Sequence, residues 1–328
     1  MPDVVFLFET SAKVPFVFTE EDKKNIEEAA AGRVFCFPDE DSLLESGVEA
    51  PVLFTWCGTP PVPERYCEKA ASHGTLKWVQ SFSAGMNPVD ASPVLRNLPV
   101  LYTNASGIHG DTIGEHVLGM ILAYNRTLPF FWGKQREHQW AKGATRQPYE
   151  AAGRTLGVVG AGSIGNKVAE KAKALGMKTI GLRRHPKEEP CYDKVVGSDG
   201  LYGLLEESDY VVLATPLTAS TFHMIDGEAL AHMKKTALLV NIARGAVVDE
   251  QALIAALRAN EIGGAALDVT EEEPLSPQSP LWDMENVMIT PHMSADGEHL
   301  ASRAVALFCE NLRRYRAGES LRNVQQFR

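Results

Sequence analysis

Three kinds of side chain that together can handle a carbonyl stand just beyond apolar runs in the second half of this sequence. Arg244 follows Leu239-Val240-Asn241-Ile242-Ala243 and precedes Gly245, Asp268 closes Ala265-Ala266-Leu267, and His292 follows Ile289-Thr290-Pro291. An acidic group, Glu271-Glu272-Glu273, stands a short loop beyond Asp268 and directly before Pro274. Arginine holds and polarises a carbonyl that neighbours a carboxylate, histidine supplies its proton, and a carboxylate orients the imidazole and stabilises its protonated form. Spacing alone does not choose among the three glutamates.

A second group binds rather than reacts. Gly160-Ala161-Gly162-Ser163-Ile164-Gly165 has the form G-x-G-x-x-G, follows the apolar run Thr155-Leu156-Gly157-Val158-Val159, and opens a stretch with Ile164, Val168, Ala172 and Leu175 at helical spacing. In that setting backbone N–H groups and the helix dipole face a pyrophosphate. The first glycine makes the turn, the second admits the phosphate and the third lets helix and strand pack closely. Roughly 20 residues on, where an NAD enzyme places an Asp or Glu for the ribose hydroxyls, this chain reads Leu182-Arg183-Arg184-His185. Two guanidiniums there can grip a 2′-phosphate, so NADP is the expected cofactor. The other reading is a solvated strand end and use of both dinucleotides, with NAD the weaker.

Both groups need strand ends to carry them. The first hundred residues alternate polar stretches with the runs Val4 to Phe8, Val34 to Phe37, Val52 to Phe54, Trp78 to Phe82 and Val100 to Tyr102. Continuous apolarity predicts strands covered on both faces, hence a parallel sheet with helices outside. Residues 111 to 126 break the rhythm with a helix whose Thr112 and Glu115 have the form of a capping box. Its Gly114 and Gly119 predict the close approach of another backbone. After a polar segment at 133 to 150 a second series follows, with runs at Thr155 to Val159, Thr179 to Leu182, Tyr210 to Leu213, Ala237 to Val240, Ala265 to Leu267 and Val287 to Ile289. A last helix, marked by Leu300, Ala304, Leu307, Phe308 and Leu312, could return to the first domain. The expected fold is α/β, with two doubly wound parallel-sheet domains.

Composition narrows the partners. The 328 residues carry 42 acidic and 32 basic side chains, a net charge of −10 that disfavours nucleic acid and anionic bilayers. No apolar stretch reaches the roughly 18 residues of a membrane span, and Met1-Pro2-Asp3 lacks the basic start of a secretion signal, so a cytoplasmic location is expected. Cys36, Cys57, Cys67, Cys191 and Cys309 are too scattered for a disulfide framework or a zinc site, and no metal is expected. His73, His138, His223, His232 and His299 lack a motif and read as structural, Glu271 and Glu272 read as solvated, and His109, His116 and His185 stay undecided.

Several of these segments, taken in order, resemble the D-isomer-specific 2-hydroxyacid dehydrogenases. The resemblance rests on Ser83-Ala84-Gly85-Met86-Asn87, Gly160 to Gly165, Thr215-Pro216-Leu217-Thr218, Val240 to Gly245, Leu267-Asp268-Val269 leading to Glu273-Pro274, and Thr290-Pro291-His292. It implies a flavodoxin-like substrate domain (1–107 and 299–328) with an inserted Rossmann domain (108–298). It further implies that Arg244, Glu273 and His292 are catalytic, Glu273 being chosen because it precedes the proline. Ala84, Gly85 and Met86 would hold the substrate carboxylate. Ser163 and Ile164 would lie under the pyrophosphate, and Thr215, Pro216, Ala243, Asp268 and Ser294 would lie on the cofactor side. Trp56 could wall the substrate pocket. The implied reaction is hydride exchange between a nicotinamide and a 2-oxo or D-2-hydroxy acid, in a homodimer whose contact region would include Trp132, Trp140 and Tyr149, with interdomain packing the competing reading of these three. A dinucleotide-sensing, corepressor-like regulator of the same fold is the alternative. Formate dehydrogenase is disfavoured, since that relative carries Gln at the place of Glu273. His292-Met293-Ser294-Ala295 departs from the family's usual small apolar residue and alanine after the histidine.

Overall fold

The computed structural model describes residues 2–7, 19–58, 62–143 and 146–327. Phe8, at the end of the first apolar run, lies outside them. The chain divides into two compact units, one formed by Met1–Ile108 with Gly297–Arg328 and the other by His109–Asp296.

Five strands open the first unit: β1 (Val4–Leu7), β2 (Val34–Phe37), β3 (Val52–Thr55), β4 (Trp78–Ser81) and β5 (Leu101–Thr103). The second unit holds β6 (Thr155–Val159), β7 (Lys178–Leu182), β8 (Lys194–Val196), β9 (Tyr210–Leu213), β10 (Leu238–Asn241), β11 (Gly264–Leu267) and β12 (Val287–Ile289). A two-residue strand, β13 (Val324–Gln325), returns to the first. The sheet orders are β13-β5-β4-β3-β1-β2 and β12-β11-β10-β9-β6-β7-β8. All pairings are parallel except β13 on β5.

The continuous apolar runs follow from this layering, because successive side chains of a strand point to opposite faces. Val4, Phe6, Val52, Phe54 and Trp78 join one core layer of the first unit, while Val5, Leu7, Leu53 and Val79 join the layer on the other face. In the second unit Val159, Val211, Leu213 and Leu239 alternate in the same way with Leu156, Val158, Val212 and Val240. The helix Leu300–Ala317 packs on the first sheet. Phe308 stacks on Phe54 with 4.2 Å between ring centroids, and Asn311 Nδ2 donates to Gln80 Oε1 at 3.0 Å.

The helix Gly110–Asn125 corrects one expectation. It begins before Thr112, whose hydroxyl donates to the carbonyls of His109 (3.0 Å) and Ala295 (3.2 Å), so Thr112 and Glu115 form no capping box. That device belongs instead to Thr19 and Asp22, at the start of Glu20–Ala30. At Gly114 the tight neighbour is a side chain rather than the expected backbone: a Cβ there would lie 2.9 Å from Lys171 Cδ of the helix Ser163–Ala174 and 3.5 Å from Lys167 O. Gly119 faces open space and nothing in the fold explains it. Of the cysteines, Cys57, Cys67 and Cys309 are buried and Cys36 is exposed.

Candidate active site

In an open α/β sheet ligands gather beyond the carboxyl ends of the strands, where the strand order reverses. In the second unit the reversal lies between β6 and β9. The Gly160 turn closes there, with the N–H groups of Gly160 and Ala161 donating to Leu182 O at 3.0 and 2.9 Å. Gly160 has φ of 108°, and a Cβ on it would meet the Ala214 carbonyl carbon and oxygen at 2.6 Å. The loop bearing Thr215 and Pro216 therefore rests against the turn. On Gly165 a Cβ would lie 2.4 Å from Gly160 O, so only a glycine lets the helix pack so closely.

Gly162 differs. A Cβ there would meet nothing within 4 Å, and the helix Ser163–Ala174 starts at this residue with no side-chain cap and no acid in its first turn. An open cradle of helix-start N–H groups beside a tight glycine turn fits the pyrophosphate of a dinucleotide. Two substitutions separate these roles. Gly162→Ala should keep the melting temperature within about 2 °C while weakening dinucleotide binding roughly tenfold, because the methyl fills ligand space. Gly160→Ala should lower the melting temperature by several degrees, because the methyl strikes backbone and φ is left-handed. Thermal melts beside dinucleotide titrations of both variants check the pair.

The reactive groups come from three neighbouring strands, β10, β11 and β12. Arg244 lies three residues beyond β10. Its Nη1 donates to Ala243 O at 2.6 Å, and Asn241 Nδ2 donates to its carbonyl at 3.1 Å. A Cβ on Gly245 would come within 1.9 Å of Thr270 O, so the Arg244 loop lies directly on the backbone that leads to Glu273. Glu273 Oε2 meets His292 Nδ1 at 2.8 Å, and its Oε1 accepts from Thr270 N at 3.3 Å. Both side chains of the pair are exposed. Glu271 is exposed, as expected, and meets His223 Nε2 at 3.0 Å.

His292 has φ of 52°, a left-handed conformation that a non-glycine residue holds only when its surroundings enforce it. Asp268 does the enforcing. Its carbonyl accepts from His292 N at 2.8 Å. Its carboxylate accepts from Thr290 Oγ1 at 2.6 Å, Met293 N at 2.9 Å and Ser294 N at 3.0 Å. Burial opposes ionisation of this carboxyl, but the hydrogen bonds from Ser294, Thr290 and Met293 outweigh it and hold Asp268 below the usual carboxylate range. Burial, with repulsion from Asp268, pushes the nearby Asp296 up despite the attraction of His292.

Because the Thr290 hydroxyl donates to Asp268, its oxygen accepts from His116 Nε2, 3.1 Å away, which requires the proton on that nitrogen. Sequence reasoning left His116 undecided, and no local signal could have placed it, since the contact spans 174 residues. Asp268 and Ser294, expected on the cofactor side, thus clamp the loop that bears His292, while Ala243 supplies the carbonyl that braces Arg244.

Arg183 is the first residue beyond β7. Its Nη1 lies 3.5 Å from Glu189 Oε1, which Lys187 Nζ also meets at 3.3 Å, and Arg184 is exposed. In the first unit, Asn104 Nδ2 donates to Ala84 O and Ser83 Oγ to Gly85 O, both at 2.7 Å. A trans peptide points its N–H opposite its carbonyl, so these bonds turn the amides of Gly85 and Met86 away from Asn104 and Ser83. Trp56, just past β3, lies 5.8 Å from the Phe82 ring.

Residues 118–294 match the model of the D-isomer specific 2-hydroxyacid dehydrogenase NAD-binding domain. The chain belongs to that family. The enzyme is 36% identical over 266 residues to a glyoxylate reductase of Korarchaeum cryptofilum, covering 80% of this chain and 78% of the relative. A D-isomer specific 2-hydroxyacid dehydrogenase family protein from Aeromonas salmonicida superposes with a TM-score of 0.84 at 29% identity, over 99% of both chains. The D-isomer specific 2-hydroxyacid dehydrogenase of Xanthobacter autotrophicus, solved with NADPH and MES, does so with a TM-score of 0.78 at 32% identity, over 99% of this chain and 98% of its own. The protein is therefore an oxidoreductase of the 2-hydroxyacid dehydrogenase class with two parallel-sheet α/β domains, the second of them the NAD-binding domain. Among the described residues no cluster of His, Cys, Asp or Glu is set to hold a metal, and no helix is long and apolar enough to cross a membrane.

Proposed function

We propose that this enzyme reduces small 2-oxo acids to D-2-hydroxy acids, preferring NADPH to NADH. The observation that carries the chemistry is the 2.8 Å contact between Glu273 and His292 Nδ1. With Nδ1 engaged, Nε2 is the nitrogen free to protonate the substrate's keto oxygen. The bound dinucleotide supplies the hydride. Arg244 stabilises the charge that develops on that oxygen, and Glu273 keeps the imidazole oriented and favours its cation. For the substrate's carboxylate the reading assigns the amides of Ala84, Gly85 and Met86, with Trp56 as a pocket wall. For the cofactor it assigns Gly160, Gly162, Ser163, Ile164 and Gly165 to the pyrophosphate, Thr215, Pro216, Ala243, Asp268 and Ser294 to the nicotinamide side, and Arg183 with Arg184 to the 2′-phosphate.

The Korarchaeum relative's name and the NADPH in the Xanthobacter structure favour this reading. A homodimer goes with it, with the exposed Phe131, Trp132 and Trp140 as candidates for its contact. A cytoplasmic location is part of the same proposal.

Initial rates of NADPH and NADH oxidation with glyoxylate, hydroxypyruvate, pyruvate and bulkier 2-oxo acids test it, with Arg183→Asp beside the wild type. The wild type should turn over faster with NADPH, and Arg183→Asp should lose that preference, since it puts a carboxylate where a phosphate would bind. Equal preference in both proteins would remove the arginine assignment. Dinucleotide binding without turnover on any 2-oxo acid would move the protein to the regulatory alternative.

A further inference from the structure

Sequence alone shows no carboxylate at the end of β7, yet the fold brings one back. Glu189, six residues past Arg183, lies with Oε1 3.5 Å from Arg183 Nη1 and 3.3 Å from Lys187 Nζ. The side chains of Arg183 and Glu189 are only 32% and 22% exposed, so water screens their attraction incompletely. Tyr192 N donates to Glu189 O at 3.0 Å, which fixes the backbone, and Pro186 and Pro190 bracket the segment. Glu189, Pro186, Pro190 and Tyr192 line a solvent-open groove of about 810 Å³.

We propose that Glu189 sets how strongly the enzyme distinguishes the two dinucleotides, by competing with the 2′-phosphate for Arg183. The proposal rests on the reading of Arg183 as the 2′-phosphate ligand. A phosphate monoester carries more than one negative charge near neutral pH. Glu189 engages Arg183 through Nη1 alone, so the phosphate reaches the rest of the fork only beside that carboxylate or after displacing it. The ribose hydroxyl of NADH meets no such competitor. Glu189 therefore weakens NADPH selectively and narrows the preference that Arg183 and Arg184 create.

Calorimetric titration with 2′,5′-ADP and 5′-AMP, which differ by the 2′-phosphate alone, reads this without turnover. Glu189→Gln removes the charge and keeps the shape. It should tighten 2′,5′-ADP about three- to tenfold at low salt and leave 5′-AMP within about twofold, with the gain shrinking at high salt. In Arg183→Ala the advantage of 2′,5′-ADP over 5′-AMP should fall sharply, and adding Glu189→Gln to that background should bring no gain. Unchanged affinity for 2′,5′-ADP in Glu189→Gln, or equal tightening of both ligands, overturns the role of Glu189. If Arg183→Ala still loses the advantage, the NADP reading survives that result. An Arg183→Ala protein that binds 2′,5′-ADP like the wild type overturns the NADP reading itself.

Discussion

His292→Ala is expected to slow 2-oxo acid reduction by about 10²- to 10⁴-fold, the range a positioned general acid contributes, while dinucleotide affinity stays within about twofold. The two effects separate because the groups stand at different places on the sheet. His292 follows β12, whereas the Gly160 turn follows β6, four strands away in the order β12-β11-β10-β9-β6. At about 4.8 Å per strand that is roughly 19 Å. Removing the imidazole also leaves Glu273 without its 2.8 Å partner, on a side chain exposed enough for water to replace it, so the fold should survive. Steady-state kcat beside a titration of the dinucleotide by fluorescence checks both halves. A variant within about tenfold of wild-type kcat would end the assignment of His292 as proton donor.

Much of this architecture is legible in the sequence because both sheets are covered on two sides. Val4 to Leu7 and Val52 to Phe54 are apolar at every position, since one half of each strand feeds one core layer and the other half the opposite layer. Two of the four edge strands, β8 and β13, escape that logic. Lys194–Val196 is no more than half-buried and Val324–Gln325 has only two residues, so neither leaves an apolar run to read. The helix at Gly110–Asn125 carries the pattern of a capping box where none forms, because a Thr inside a first turn can bond back to the carbonyl three residues earlier.

The site divides along the same line between local and long-range information. The glycine turn, Arg244 and His292 announce themselves by following strand runs. Glu273 does not stand out from Glu271 and Glu272 by spacing, and the resemblance alone chose it. The structure gives a physical difference: Glu273 pairs with His292, whereas Glu271 pairs with His223. The bracing of the catalytic loop by Asp268 and His116, and the meeting of Glu189 with Arg183, depend on which chain segments the sheet brings side by side. No spacing rule encodes them.

Arg244→Gln is expected to lower kcat/KM for 2-oxo acids by about 10²- to 10³-fold, the size of effect seen when a preorganised donor to a developing oxyanion is lost. Preorganisation is visible here in three restraints. Asn241 holds the Arg244 carbonyl, Gly245 presses on the Thr270 backbone, and Nη1 is braced on Ala243 O at 2.6 Å. One guanidinium donor is spent on that brace and the rest of the planar fork stays available. Lysine cannot copy this, because one compact ammonium must serve both the Ala243 carbonyl and the substrate. Arg244→Lys should therefore recover about tenfold of the loss, through restored charge, and no more. Both variants should bind the dinucleotide like the wild type, which equilibrium titration would show. Full recovery in Arg244→Lys would mean that charge alone matters and that the brace on Ala243 is incidental. An Arg244→Gln enzyme within about tenfold of wild type would remove the arginine from the transition state and leave His292 and Glu273 to carry the chemistry.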